Sequence, residues 1–396
     1  MQIRKIIKYF LIWRFLLFVI LIFAIPVVPL QKDFLGGGMD NYLKNPYLWS
    51  WLNFDGNHYL SIAMYGYKPL QYFYFPLFPL SLGVVAKLLG GAQSMYALSG
   101  LLVSNITFFV ALLGLTRLVK LDYPDKIVQF LLLLLLLFPT SFYFGSFYTE
   151  SLFLALIIWS FYFARKGSWI IAGILGALST AARITGAALF PALIVEAFIQ
   201  SKENKKHLFL PIASSFAVML GVITYAMLLD RGLGDPLAFF RSLDQVFGEQ
   251  RSKVLIFLPQ VFYRYLVRIL PNINYSYFPA VFTAWFEFLS ALIFAFLGGL
   301  GILGWGSGFA DKLKRFKKYQ IRGSYLVFFL GGYLIPTLSG SFSSFPRYVL
   351  ILFPAFLMSS KILTEKPPFF KWLSISVLFI LLIISEALYI RGYWLS

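Results

Sequence analysis

Long apolar runs, repeated along the whole chain, constrain this sequence more than any other feature. Residues 9–30 and 280–306, for example, are each long enough to cross a hydrocarbon core of ~30 Å as a helix. Because backbone groups in lipid must pair within their own segment, we expect helices rather than sheet. With 60% hydrophobic and 13% charged residues, a soluble fold could not bury this apolar surface. The sequence therefore predicts an all-α, polytopic integral membrane protein in which residues 1–396 form a single domain.

The net charge of +18 does not indicate a nucleic-acid partner. Lys and Arg cluster in short segments between apolar runs, which is the pattern that orientation in a membrane requires. The chain has no cysteine, so disulfides and thiolate metal ligands are excluded. The first apolar run is too long for a cleaved signal peptide and lacks a small-residue cleavage site. We therefore predict that it is retained as the first span.

Hydropathy and charge together predict the spans and their orientation. The basic segment 311–322 indicates most strongly which loops are cytoplasmic. The same bias places residues 31–93, a first outer loop with juxtamembrane helices, and residues 230–279, a second long outer segment, on the extracytoplasmic side. The eleven predicted spans are 9–30, 94–117, 127–145, 149–165, 168–182, 185–200, 208–229, 280–306, 323–340, 347–363 and 371–391.

Two segments are ambiguous. Residues 75–91 are apolar but contain two prolines and Lys87, and we prefer a helix in the outer interface to a twelfth span. The segment 168–200 has basic residues at both ends, so both ends are expected on the cytoplasmic side and the chain must cross the membrane outward and return. Each half provides only ~22 Å of helix, which is shorter than the hydrocarbon core. The apex of this segment, 180–186, then carries Arg183 at membrane depth, which is costly unless a wet cavity or an anionic partner faces it.

Four charged side chains fall on the predicted outer side and together indicate a site for a phosphorylated lipid. Asp55 lies on the first outer loop, Glu150 follows a tight turn, Arg183 lies at the apex and Arg347 opens the tenth span. Guanidinium groups match phosphate oxygens with a planar fork of donors. A carboxylate can accept a proton from an attacking hydroxyl or orient that hydroxyl. We therefore predict that the two carboxylates are catalytic and that the two arginines bind the phosphate of a donor.

Several side chains near these charges are expected to contact substrate, namely His58, Trp51, Tyr148 and Tyr348. Outer-loop rings such as Tyr74 also have the shape to stack on a sugar. No cofactor and no metal site are predicted. A divalent ion held by Asp55, His58 and Glu150 stays open, but nothing in their spacing requires one.

Each charged candidate also has a purely structural interpretation. Asp55 can be the N-cap of a helix over residues 56–65, and Glu150 can stabilise the start of the fourth span through the helix dipole. His58 can be an interface residue. The two arginines can be anchors that extend toward the membrane surface.

Four segments of the chain carry a resemblance to a known family. "FDGNHYLSIAMYGY" followed by "YFYFPLFPL" resembles the opening motif of the GPI mannosyltransferase II (PIG-V-like) family, which has Trp where Phe54 stands here. "SFYTESLF", "AARITG" and "FPRYVLILFPAF" are similar to three further segments of that family and occur in the same order. Ile184 and Thr185 replace the family's Ser and Asn after the arginine, so no polar role is expected at these two positions.

The resemblance implies a GT-C glycosyltransferase, and the short loops indicate a prokaryotic member. Such an enzyme takes a sugar, here mannose, from a polyprenyl-phosphate donor and transfers it with inversion to a lipid or glycan acceptor. Asp55 matches the essential acidic residue on the first outer loop, and Glu150 matches a second acidic residue. The implied location is the extracytoplasmic face of the plasma membrane, or the luminal face of the endoplasmic reticulum in a eukaryote.

Some points of mechanism are left open. We expect burial near lipid to raise the pKa of the catalytic carboxylate toward neutrality. The segment 230–279 is expected to shape an acceptor groove and offers four unassigned charges, Asp235, Asp244, Arg264 and Arg268. The alternatives from other classes are a transporter or flippase for lipids or lipid-linked sugars, and a noncatalytic subunit that presents a lipid-linked sugar.

Overall fold

The computed structural model describes residues 3–204, 207–241, 255–308 and 311–395, and no β-strand occurs among them. The α-helices are α1 (Ile3–Val27), α2 (Met39–Lys44), α3 (Pro46–Trp49), α4 (Asp55–Tyr65), α5 (Leu77–Leu88), α6 (Gln93–Val119), α7 (Asp125–Leu136), α8 (Glu150–Arg165), α9 (Trp169–Ala182) and α10 (Leu189–Asn204). They continue as α11 (Phe209–Ala217), α12 (Leu220–Leu233), α13 (Ala238–Arg241), α14 (Leu258–Arg264), α15 (Phe278–Gly306), α16 (Gly323–Thr337), α17 (Phe345–Tyr348), α18 (Phe353–Thr364) and α19 (Pro368–Ile390).

The chain is a multi-pass integral membrane protein. Among the described residues, six helical segments are long and apolar enough to cross a membrane, and a seventh is added if the bent pair Phe345–Ile351 and Phe353–Thr364 is one span. Each of the eleven predicted segments contains a helix, but several of these helices are short. Helix α7 has 12 residues and α9 has 14, which correspond to ~18–21 Å. The number eleven therefore stays a prediction, and α5, with 12 residues, is also too short to span alone.

The return of the chain between α9 and α10 is a tight turn. Helix α9 ends at Arg183, whose backbone is extended (φ −158°, ψ 141°), and a 3₁₀ turn over Ile184–Ala188 follows. A Cβ at Gly186 would lie only 2.8 Å from the backbone carbon of Ser179. Glycine therefore allows the turn to fold back against α9, and this close approach presents the Arg183 side chain at the apex.

Hydrogen bonds join the loop before α4 to the C-terminal end of α19. The Asn53 side-chain amide donates to the carbonyls of Tyr389 at 2.8 Å and Ile390 at 3.1 Å, and its Oδ1 accepts from the Gly36 amide at 2.9 Å. The Tyr42 hydroxyl also donates to the Ile390 carbonyl at 2.8 Å. These bonds satisfy the last carbonyls of α19, which have no partner within the helix, and they fix the backbone that leads into α4.

A second group of charges lies at the other end of α8. Arg165 donates two hydrogen bonds to Asp122, at 2.6 and 2.7 Å, and Arg322 donates two to Glu196, at 2.7 and 2.8 Å. Because α8 runs from Glu150 to Arg165, this far cluster is ~22 Å from the predicted site along the helix axis. Buried charges in the bundle are therefore paired at both ends of α8.

Candidate active site

Asp55 is the first residue of α4, and its carboxylate points at partners from distant parts of the chain. Arg347 Nη1 lies 2.6 Å from Asp55 Oδ2, and the Tyr74 hydroxyl donates to Oδ1 at 2.9 Å. The residue at the N-cap position is Phe54, in a left-handed conformation (φ 58°), and the Asp55 side chain makes no capping hydrogen bond. The N-cap interpretation of Asp55 is therefore wrong, because both carboxylate oxygens are engaged in the site.

Glu150 lies behind the two arginines. Its Oε1 is 2.5 Å from Arg183 Nη1 and 3.4 Å from Arg347 Nε, and its side chain is only 1% exposed. The carboxylate occupies the first turn of α8, where the helix dipole also favours negative charge. Two carboxylates and two guanidinium groups thus form one network of alternating charge, in the order Asp55, Arg347, Glu150, Arg183.

Aromatic rings surround the two guanidinium groups. The Arg347 guanidinium carbon lies 5.3 to 5.5 Å from the ring centres of Tyr143, Tyr148 and Tyr348, and that of Arg183 lies 5.1 Å from the Tyr348 ring. The side chains of Arg347 and Arg183 are only 8% and 12% exposed. The interpretation of both arginines as surface anchors is therefore wrong, since each is buried, paired with a carboxylate and held by ring faces.

The charged partners of Asp55 determine its protonation. Burial alone raises the pKa of this carboxyl, but Arg347, the Tyr74 hydroxyl and His58 together outweigh burial and hold the pKa below its ordinary value. The expectation that burial raises the pKa toward neutrality is wrong for this reason. Burial and the charge of Asp55 raise the pKa of Tyr74, so its hydroxyl stays protonated and donates to the carboxylate.

A cavity of about 280 Å³ opens beside this network. Its lining includes Asp55, Arg183, Arg347 and Tyr348, and most of its other lining residues are apolar or aromatic. Its lining residues are Asp55, Tyr59, Phe73, Tyr74, Phe75, Ala182, Arg183, Ile184, Thr185, Phe239, Phe240, Leu255, Ile335, Pro336, Leu338, Ser339, Arg347 and Tyr348. Positive charge beside an apolar surface suits a phosphate attached to a hydrocarbon chain.

Some predicted substrate contacts do not line this cavity. Trp51 is buried, with its indole N–H bonded to the Tyr47 carbonyl and its ring under the Arg14 guanidinium at 4.3 Å. Tyr148 is buried behind Arg347, and its hydroxyl donates to the Asn53 carbonyl at 2.7 Å. Neither ring therefore lines the cavity, and Glu150 does not line it either.

His58 lies on the exposed side of α4, and its ring stacks on Tyr74 with 5.2 Å between ring centres. Its Nδ1 is 3.4 Å from the side-chain nitrogen of Gln71. In the part of the chain that the structure describes, no group of three His, Cys, Asp or Glu side chains is placed to hold a metal ion. Asp55, His58 and Glu150 therefore do not form the divalent-ion site that the sequence left open.

Tyr74 makes a contact in the candidate site that the sequence did not predict. It was expected only as a stacking ring, whereas its hydroxyl is a direct partner of Asp55. The available signal was the aromatic segment "YFYFPLFPL", which carries part of the family resemblance. Asn53 was also missed, because its role depends on the end of α19, more than 330 positions away. Among the unassigned charges, Asp244 lies outside the described residues.

Comparison with known proteins bears on these observations. No curated protein and no solved structure matches the chain. The model of a family described as mannosyltransferase (PIG-V), in contrast, matches residues 3–230, which is more than half of the chain. The match includes the segments that carry Asp55, Glu150 and Arg183, and Arg347 lies beyond it. The chain therefore belongs to the PIG-V mannosyltransferase family and is a membrane-embedded glycosyltransferase.

Proposed function

We propose that this enzyme transfers mannose from a polyprenyl-phosphate donor to a hydroxyl of a lipid or glycan acceptor, with inversion of the anomeric centre. The observation that carries the proposal is the network of Asp55, Arg347, Glu150 and Arg183 beside a cavity with apolar walls. Inversion requires one carboxylate at the acceptor hydroxyl and one binding site for the departing phosphate.

The two arginines hold the donor phosphate. Both line the cavity and are fixed by Glu150 and by tyrosine rings, so little ordering is needed when the anion binds. Their charge stabilises the phosphate as it leaves with the electron pair of the glycosidic bond. The first isoprene units lie against apolar lining such as Phe240, Leu255 and Ile335, and the remaining tail extends into lipid.

Asp55 acts on the acceptor. The acceptor oxygen attacks the anomeric carbon, the bond between that carbon and the phosphate oxygen breaks, and the hydroxyl proton passes to Asp55. Tyr74 keeps one carboxylate oxygen in a fixed direction, since it donates to Oδ1. Glu150 does not contact substrate in this scheme. It positions both guanidinium groups by its Oε1.

A second cavity is suited to the acceptor. It has a volume of about 470 Å³ and includes Arg264, Glu287, Ser343 and Trp394. Trp394 packs edge-on against Phe54, the neighbour of Asp55, with ring centres 5.3 Å apart. A mixture of aromatic, hydroxyl and charged side chains suits a glycan. This placement supports the expectation that the segment 230–279 shapes an acceptor groove, here through Arg264, while Arg268 does not line the cavity.

The proposed location of the reaction is the extracytoplasmic face, which is the plasma-membrane exterior or, in a eukaryote, the lumen of the endoplasmic reticulum. The support is the distribution of basic residues, with the segment 311–322 on the cytoplasmic side. The partners are then the lipid-linked donor, the acceptor and membrane lipids, and no nucleic acid or cofactor takes part.

The test is transfer of labelled mannose from polyprenyl-phosphate-mannose in reconstituted membranes. We expect Asp55→Asn to lower the transfer rate by about 10²-fold or more, since the proton acceptor is lost. Glu150→Gln should lower it as well, because two buried guanidinium groups lose their shared carboxylate. The matched control is Asp40→Asn, which changes an exposed carboxylate of the same loop and should leave transfer unchanged.

Each outcome of this experiment is informative. Transfer by Asp55→Asn at the wild-type rate would refute the catalytic role and favour a subunit that presents a lipid-linked sugar. If labelled donor crosses the bilayer without transfer of its sugar, the proposed reaction is wrong and a flippase activity is indicated.

A further inference from the structure

A groove that shares no lining residue with the cavity beside Asp55 carries polar groups that the proposed reaction does not use. It has a volume of about 540 Å³ and runs between α1, α7 and the junction of α18 with α19. We call it the lysine groove and define it by Tyr9, Trp13, Lys126, Phe130, Leu133 and Lys371.

Two lysines, Lys126 and Lys371, line the lysine groove. Lys126 is in the first turn of α7 and exposed, and Lys371 is in the first turn of α19 and half-buried. Neither makes an ion pair with a residue that the structure describes. The neighbouring carboxylate of Asp125 is already occupied, since Lys120 Nζ lies 2.9 Å from it. The groove therefore presents two cations to whatever lies between them.

The rest of the lysine groove is apolar and elongated. Along α7, Lys126, Phe130 and Leu133 recur at helical spacing, and Leu136 lies ten positions or ~15 Å from the lysine. Trp13 also lines the groove, and its indole N–H donates to Ser141 Oγ at 3.2 Å. A slot lined by two cations and by hydrocarbon along its length matches an amphiphile with an anionic head.

We propose that the lysine groove binds one anionic phospholipid, with its phosphate between Lys126 and Lys371 and one acyl chain along α7. Two cations without a matching carboxylate favour a head group of net negative charge over a zwitterionic one. The site is distinct from the donor site, because no residue lines both the lysine groove and the cavity beside Asp55 and Arg347. It would stabilise the contact between α1, α7 and α19.

The experiment uses the purified full-length enzyme in detergent, with phosphatidylglycerol and phosphatidylcholine of identical acyl chains added in parallel. Native mass spectrometry counts bound lipid, and thermal unfolding reports stabilisation by the bound form. We expect wild type to retain one phosphatidylglycerol in preference to phosphatidylcholine. For Lys126→Gln with Lys371→Gln, we expect a loss of affinity of roughly 30-fold, since each lysine near a lipid surface contributes about one kcal/mol.

Two further variants separate a site from general surface charge. Lys44→Gln with Lys87→Gln removes two exposed lysines elsewhere and should bind phosphatidylglycerol as wild type does. Leu133→Trp keeps both lysines but fills the groove, and it should lose the bound lipid. The proposal is overturned if the control pair loses as much affinity as the groove pair, or if Leu133→Trp binds normally. Equal stabilisation by free glycerol phosphate would also overturn it, since the acyl chain would then contribute nothing.

Discussion

Asp55 and Arg347 lie 292 positions apart in the chain, yet their side chains approach to 2.6 Å at the wall of the cavity. The consequence for Asp55 is electrostatic. Burial disfavours its charged form, whereas the guanidinium and the Tyr74 hydroxyl favour it, and the second effect is larger. The carboxylate is therefore ionised throughout the physiological range, in which an unperturbed Asp with a pKa of ~3.9 is ionised as well.

This balance predicts a shift in the pH profile of Arg347→Gln. Without the guanidinium, burial is the largest remaining influence, so the pKa of Asp55 rises and the carboxylate takes up a proton at higher pH. We expect the fall in relative activity on acidification to begin at a higher pH than in wild type. The measurement is the initial rate of mannose transfer against pH, normalised for each variant to its own maximum.

Arg183→Gln is the control for this prediction. It also removes a phosphate ligand, but Arg183 is not among the groups that shift the pKa of Asp55. Its acidic limb should coincide with that of wild type although its rate is lower. Coincident limbs in wild type and Arg347→Gln would show that the ion pair does not control the protonation of Asp55.

At the scale of single residues, the sequence predicted which charged side chains lie together but did not predict which of them pair. Four segments were expected to contribute to one site, and the structure brings Asp55, Glu150, Arg183 and Arg347 into one network. The pairing depends on the relative placement of helices far apart in the chain, which no local pattern encodes. For that reason the direction of the pKa shift of Asp55 was predicted with the wrong sign.

At the scale of elements, the site depends on the end of α19, which holds the backbone before α4. Asn53 is fully buried and serves three backbone groups, the carbonyls of Tyr389 and Ile390 and the amide of Gly36. Removing such a side chain lowers the stability of the fold, because its backbone hydrogen-bond partners stay buried without partners.

Asn53→Ala should therefore destabilise the fold by ~1–3 kcal/mol. The measurement is the midpoint of thermal unfolding in detergent, compared between wild type and variant at the same lipid content. Asn57→Ala is the matched control, since Asn57 is exposed on the same helix start and makes one long contact of 3.4 Å to Gly37. A midpoint for Asn53→Ala equal to that of the control would mean that α19 does not secure the first loop.

The helical segments were largely predictable because apolar runs and charged boundaries are local properties of the sequence. Helix lengths were less predictable. Residues 127–145 were expected as one span, but α7 ends at Leu136 and a 3₁₀ turn follows over Ser141–Gly145. This break lies where the Thr140 hydroxyl donates to the Pro346 carbonyl at 2.7 Å. Tertiary contacts beside the site therefore interrupt a run that composition alone would continue.

At the scale of the whole molecule, two clusters of paired, buried charges lie near the two ends of α8. The proposed reaction uses one end, and the far cluster of Arg165, Asp122, Glu196 and Arg322 lies at the other. Because α8 connects the two clusters, the side of the membrane on which one cluster lies is linked to the side of the other. If α8 crosses the membrane, as the sequence predicts, Arg165 and Asp55 lie toward opposite sides of it.

The absence of cysteine makes this orientation directly measurable. We expect a membrane-impermeant maleimide to modify Asn57→Cys in intact cells, because this exposed residue is two positions from Asp55 and on the predicted outer side. Lys366→Cys, exposed between α18 and α19, should react only after the membrane is permeabilised. The cysteine-free parent reports background labelling. The reverse pattern would place the reaction on the cytoplasmic side.

The pairing of Asp55 with Arg347 has a consequence for the order of events in the catalytic cycle. Under the proposed function, the carboxylate is a weak base while the guanidinium is bonded to it. A donor phosphate that attracts Arg347 loosens this bond and makes Asp55 a stronger proton acceptor at that moment. The enzyme would thus activate an acceptor hydroxyl only when a donor sugar is in place.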